Sequence, residues 1–228
     1  MKGTAVIAWV IAGLLLSVQA GFGQHEQMPA LDASHMAEDA KPVTSVEEMA
    51  EFSRRKFAFS NLIHYHDWRP LLKKKAEIKM FFESATGLEG YLPMMFLIAS
   101  GEKIDPKTEA RFLCLYLDEC ELYDEWGFYD ESESAWTDWY LAKRLVACGK
   151  GALPWLEPLL KKKEMISYGL GMGSEMQTMT HRLWMRKCDV ASHYAAQILG
   201  LEWALDAELS QRDARIGRIL QVMEAQTR

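Results

Sequence analysis

The sequence has no excess of positive charge, since 26 lysines and arginines stand against 32 aspartates and glutamates, a formal charge of −6 at pH 7. The basic footprint that phosphate backbones require is missing, which argues against nucleic acid as the main partner. Beyond residue 20 no apolar run approaches bilayer-spanning length, so no membrane span is expected in the mature chain. No segment alternates apolar and polar residues between hairpin turns, so a sheet is not expected. Several catalytic signatures are missing too. Gly169, Gly171 and Gly173 follow no strand pattern, lack a Gly-Lys-Ser/Thr ending and fall one place short of dinucleotide spacing, so they read as a turn. Ser174 stands in no Gly-x-Ser-x-Gly elbow, and the Asp-x-Asp-x-Asp-Gly order of a calcium loop does not occur. Cysteine is sparse, with four residues: Cys114, Cys120, Cys148 and Cys188. Cys114 and Cys120 on one helix would stand about 9 Å apart, beyond the roughly 7 Å a bridge tolerates. Cys114 with Cys148, Cys114 with Cys188, or free buried thiols remain.

What is present begins with a targeting grammar. Lys2 precedes an uncharged run from Gly3 to Ala20, with small residues at Val18 and Ala20, which is the pattern of a secretory signal cut after Ala20; an uncleaved anchor is the other reading. The expectation is an exported protein, periplasmic or extracellular. Residues 21–43 read as a flexible lead-in and 44–228 as a single domain. Helix signals dominate that domain. Ser45 and Glu48 have capping-box spacing ahead of a helix to about Ile63. Pro70 opens a helix to about Ser84, with Leu71, Leu72, Ile78, Phe81 and Phe82 as core candidates and Lys73 to Lys75 as a solvated ridge. Asp105-Pro106 is an N-cap followed by a proline in the first turn, starting a helix to about Tyr123. Further helices are expected over 134–148, from Leu153-Pro154 onward, over 175–187, over 190–199 behind an Asp189 cap, and over 202–209 and 213–225.

One internal echo stands out. Gly90-Tyr91-Leu92-Pro93-Met94-Met95 and Gly151-Ala152-Leu153-Pro154-Trp155-Leu156 share the frame Gly-x-Leu-Pro-x-apolar, each after a helix and a glycine break. The stretch from Ala142 through Cys148-Gly149 to Ala152-Leu153-Pro154-Trp155-Leu156, and that from Asp189 to Leu199-Gly200, resemble HEAT-like helical repeats. That resemblance covers about residues 136–200 and, weakly, 70–101. It implies a protein-binding scaffold and carries no catalytic residue or cofactor. The fold expected is all-α, with stacked antiparallel helix pairs in a HEAT-like right-handed solenoid or an irregular helical array. Physics leads the same way, because one helix pair cannot bury its apolar stripe without neighbours.

Two stretches are candidates for binding. His64 and His66 would project to one side of an extended segment, as two ligands of a metal site need, although no third is marked by spacing. Between Asp118 and Asp138 nine carboxylates mix with aromatics around Gly127. Asp124, Glu125, Trp126, Asp130 and Glu131 of this acidic aromatic loop are the partner-binding candidates, for another protein or a cell-envelope component. The competing expectation is a small-ligand, carbohydrate or metal binder, or a hydrolase, with its site between residues 64–68 and 118–138.

Overall fold

The computed structural model describes residue 31 and residues 33–119, 126, 140–166 and 185–227. These residues are mainly helical, with ten α-helices among them. Helix α1, Val46–Arg54, starts as the sequence predicts: the Ser45 hydroxyl accepts from the Glu48 amide at 3.1 Å, and the Glu48 carboxylate accepts from the Thr44 amide at 3.0 Å. Its stripe of Val46, Met49 and Ala50 faces inward.

The expected continuation to Ile63 is broken. Lys56 adopts φ +61°, and the Phe57 amide returns to the Phe52 carbonyl, a left-handed helix end that glycine usually supplies. Because lysine holds the turn, the sequence shows no break there. Helix α2, Phe59–Tyr65, then leads into β2, His66–Asp67, which pairs in parallel with β1, Lys41–Pro42. No sheet was expected, and this two-residue ladder is the correction. It docks residues 33–43 onto the domain, where Val43 is buried and donates its amide to the Asp67 carbonyl.

The helix expected from Pro70 is likewise two, α3 (Arg69–Leu72) and α4 (Lys75–Ser84). Leu72 lies exposed rather than in the core, and Lys75 reaches from the supposed ridge to the Ser100 carbonyl at 3.1 Å. A 3₁₀ turn, Leu88–Gly90, feeds α5, Tyr91–Ala99, in which every residue from Tyr91 to Leu97 is buried. A helix apolar all round belongs in the middle of a protein. It lies between α1, α4 and α6, and its Tyr91 ring stacks on Tyr116 at 3.9 Å.

Helix α6, Pro106–Glu119, has the predicted cap, with Asp105 accepting from the Thr108 amide and hydroxyl, which holds the Asp105 carboxyl below its ordinary range. Helix α7, Tyr140–Ala147, leads through a 3₁₀ turn, Gly149–Ala152, into α8, Leu153–Leu159. The helix expected over 175–187 lies mostly outside the described residues, but its end is extended: Arg186 bridges Met165.

Helix α9 runs Lys187–Leu199, so Asp189 sits in its first turn and reaches back to the Arg186 amide, rather than being the cap itself. Gly200, at φ +66°, ends it. Residues 202–208, expected as a helix, are irregular, because Trp203 is tied to the Ser192 hydroxyl at 2.8 Å and Asp206 pairs with Arg215. Helix α10, Leu209–Thr227, closes the described chain. Packing follows chain order, α5 on α6, α6 on α7 and α8, α8 on α9, and α9 on α10.

Candidate interaction surface

A groove with an apolar floor lies on the last part of this stack. The Gly149 turn at φ +58° lets α8 start immediately after α7, with Pro154 in its first turn. Leu156 and Leu159 face the core, whereas Leu153 and Pro154 line a groove shared with Leu220 and Met223 of α10. The groove has a volume of about 530 Å³. One wall runs from Lys150 in the 3₁₀ turn through Leu153, Pro154 and Glu157 of α8 to Lys161 just past it, and the other is Leu220, Gln221, Met223, Glu224 and Gln226 of α10. Lys150, Lys161, Glu157 and Glu224 rim the apolar floor, Lys161 pairing with Glu157 at 2.7 Å. No histidine, cysteine or serine lines it.

The second wall is fixed by a buried charge network. Asp189 is almost wholly buried and accepts from Arg186 through Nε and Nη2 (3.1 and 2.8 Å) and from Arg212 of α10 through Nη1 (3.2 Å). Arg186 also meets Asp213 at 2.8 Å, and Lys163 meets the same carboxylate at 2.7 Å. These contacts hold the Asp213 carboxyl below its ordinary range, the Lys163 bond being the largest cause, and raise the Arg186 guanidinium, mainly through Asp189. Three elements are thereby pinned at one point. On the other flank Lys162 and Lys187 converge on the Asp118 carboxylate, joining the end of α6 to the segment after α8 and to α9.

The sequence-derived candidates fall elsewhere. His64 is in the last turn of α2 and only His66 is extended, so the pair does not share the extended segment that was expected. The His66 ring packs against both Phe52, at 4.7 Å, and Phe57, at 5.4 Å, which also touch each other at 5.3 Å, and burial lowers its pKa. Asp67 is occupied by Arg69 through two bonds of 2.7 and 2.8 Å, which hold its carboxyl low. No group of three or more metal-ligating side chains occurs among the described residues.

Trp126 is fully buried, packed on Tyr194 at 5.5 Å, so its indole anchors rather than faces a partner. Asp124, Glu125, Asp130 and Glu131 lie outside the described residues. Among the described residues the edges of the two candidate regions come near each other where Lys56 pairs with Glu119 at 3.7 Å, one residue from the Phe57 ring on His66. Sequence reasoning singled out Leu153-Pro154 for packing and missed the groove. The signal for it was the α10 pattern of Leu220, Met223 and Glu224, which reads as one amphipathic face until the neighbour is known.

No protein-family model, curated protein or solved structure matches this chain.

Proposed function

We propose that this protein is an exported, non-catalytic scaffold that binds another protein or an envelope component through the surfaces of HEAT-like helix pairs. The observation that carries the reading is the groove between α8 and α10, with its apolar floor of Leu153, Leu220 and Met223 and its mixed charged rim of Lys150, Lys161, Glu157 and Glu224. Such a groove suits one helical segment of a partner, whose apolar residues would fill the floor while its polar residues meet the rim. The repeat reading draws support from the echo. Both Gly-x-Leu-Pro frames begin in a 3₁₀ turn and run straight into a helix, and both turns rest on α6: Gly90 against Phe112 and Gly151 against Lys107. Export rests on the pattern of residues 1–20.

The alternative, a ligand or metal site or a hydrolase between residues 64–68 and 118–138, rests on the Lys56–Glu119 contact that brings the edges of those regions together.

The test is affinity capture of the mature chain from its own envelope or medium with three baits: the unmodified chain, Leu220→Glu, and a chain carrying Asp124→Asn, Glu125→Gln, Asp130→Asn and Glu131→Gln. Loss of a specific protein partner with Leu220→Glu supports the groove. Retention with Leu220→Glu and loss with the neutralised loop moves binding to the acidic stretch. Equal retention by all three refutes both surfaces.

A further inference from the structure

A cavity of about 430 Å³ lies apart from the groove, between α4 and the first half of α6. Both helices pack on α5. Phe82 and Phe112, whose rings meet at 5.2 Å, line its apolar side together with Ile104. Near the start of α4, Lys79 pairs with Glu102 at 3.7 Å, and Lys75 holds the same carboxylate at 2.9 Å. Just past the end of α4, the Thr86 carbonyl accepts from Arg111 of α6. Residue number rises along both walls between these contacts, so the walls run parallel, and the stretch from Lys79 to Thr86 gives the cavity a length of about 10 Å at helical rise.

Six charged side chains line this small space. Lys79 and Glu102 neutralise each other, and Asp105 is occupied by the Thr108 amide and hydroxyl at the start of α6. The other three, Glu83, Lys103 and Arg111, have no ion-pair partner among the described residues. Arg111 is nevertheless fixed in place. Besides the Thr86 bond, its guanidinium carbon stands 5.0 Å from the Phe112 ring centre and 5.7 Å from that of Trp155. The Thr86 bond engages one of its two terminal nitrogens, and a guanidinium carries five N–H donors in all. Glu83 is exposed in the last turn of α4, close in sequence to Thr86, so a carboxylate and a guanidinium border the same end of the cavity without pairing. Two opposite charges held apart in this way are complementary to a molecule that carries both.

We propose that the cavity between α4 and α6 binds a free α-amino acid with an apolar side chain. Its carboxylate meets Arg111 in the forked geometry a guanidinium favours, its ammonium meets Glu83, and its side chain lies over Phe82 and Ile104 toward the Lys79–Glu102 pair. Lys103 leaves the unpaired groups with two cations against one anion, so the carboxylate is the more strongly required of the two ligand charges. Size selects a free amino acid over a peptide. The volume falls in the lower part of the range for small-molecule sites, and the contacts at the two ends bound the length. This site shares no residue with the groove and does not depend on it.

Isothermal titration calorimetry of the full chain with L-leucine and with L-phenylalanine tests the site. Their one-charge analogues are titrated alongside: isocaproate and hydrocinnamate lack the ammonium, and isoamylamine and phenethylamine lack the carboxylate. The expected result is saturable binding of at least one of the two amino acids below about 10 mM. Its carboxylate analogue binds about tenfold more weakly, as loss of one charge-assisted bond requires, and its amine analogue does not bind. Glu83→Gln, at an exposed position, weakens the amino acid about tenfold and leaves the carboxylate analogue unchanged. Arg111→Gln abolishes binding of both, and Leu220→Glu in the groove changes neither. Arg111→Gln also removes packing on Phe112 and Trp155, so if that variant fails to fold, the comparison of wild type with Glu83→Gln decides alone. No saturation by either amino acid, equal affinity for the carboxylate analogue, or undiminished affinity in Glu83→Gln overturns the proposal. Loss of binding with Leu220→Glu overturns it too, by moving the ligand to the groove.

Discussion

The acid sensitivity of this protein should reside largely in one imidazole. His193 lies in the middle of α9, only 2% exposed, with its ring edge-on to Trp203 at 4.6 Å and to Tyr194 at 5.3 Å. Burial lowers its pKa from 6.5 to about 4. A group whose folded pKa is depressed in this way stays neutral in the native state while the unfolded chain takes up a proton, so its cost is nil above pH 6.5 and grows as pH falls toward the folded value. At pH 4.5 the linkage amounts to about 2.5 kcal/mol of lost stability, a substantial share of a domain's total. Carboxylates add to the acid response, notably Asp213, so the measurement has to be a comparison. Urea unfolding of the wild type and of His193→Gln at pH 7.5 and pH 4.5 gives the difference directly. The variant, with no proton to gain, should lose about 2.5 kcal/mol less than the wild type between the two pH values. Equal losses would refute the assignment and mean that His193 meets water or an acid in solution.

Three substitutions probe the packing of the helices. Ser53→Ala removes the buried hydroxyl that accepts from the Leu92 amide at 3.0 Å at the start of α5, and should cost about 2 kcal/mol in urea unfolding. Gly90→Ala would place a Cβ 2.3 Å from the Phe112 ring and 2.9 Å from the Ala85 methyl, so thermal melting should show a loss of about 1–3 kcal/mol. Asp189→Ala removes the buried carboxylate that Arg186 and Arg212 share, leaving Arg186 with Asp213 and Arg212 with the Asp206 carbonyl, and should cost about 3 kcal/mol, with amide exchange in α10 accelerated beyond that in α1.

The all-α character was legible because the apolar residues repeat at helical spacing and the caps are strong: Ser45 and Asp105 start their helices as read. What the sequence concealed were the interruptions. A left-handed turn normally announces itself with glycine, and here Lys56 occupies it, so α1 and α2 read as one helix. Residues 202–208 carry a helical pattern of apolar positions, yet Trp203 and Asp206 find better partners in Ser192 and Arg215 than a helix would give them. The short pairing of residues 41–42 with 66–67 has too few positions to show alternation.

At the candidate sites, composition pointed to histidines and exposed acids, whereas tertiary packing decides what is available. The His66 ring is taken by two phenylalanines, Asp67 by Arg69, and Trp126 by the core. The groove could not be read at all from local pattern, since its two walls lie about 65 residues apart in the chain and each is an ordinary amphipathic face.

The central claim, that the groove between α8 and α10 seats a partner protein, is tested most directly by placing a photo-crosslinking amino acid at Gln221, on the groove wall, in cells that make the full chain. The account predicts one protein adduct from this position, absent when the same residue is placed at Glu47 on the exposed side of α1, and lost when Leu220→Glu is added without loss of helical circular dichroism. The same adduct from Glu47, or an adduct at Gln221 that survives Leu220→Glu, would contradict it.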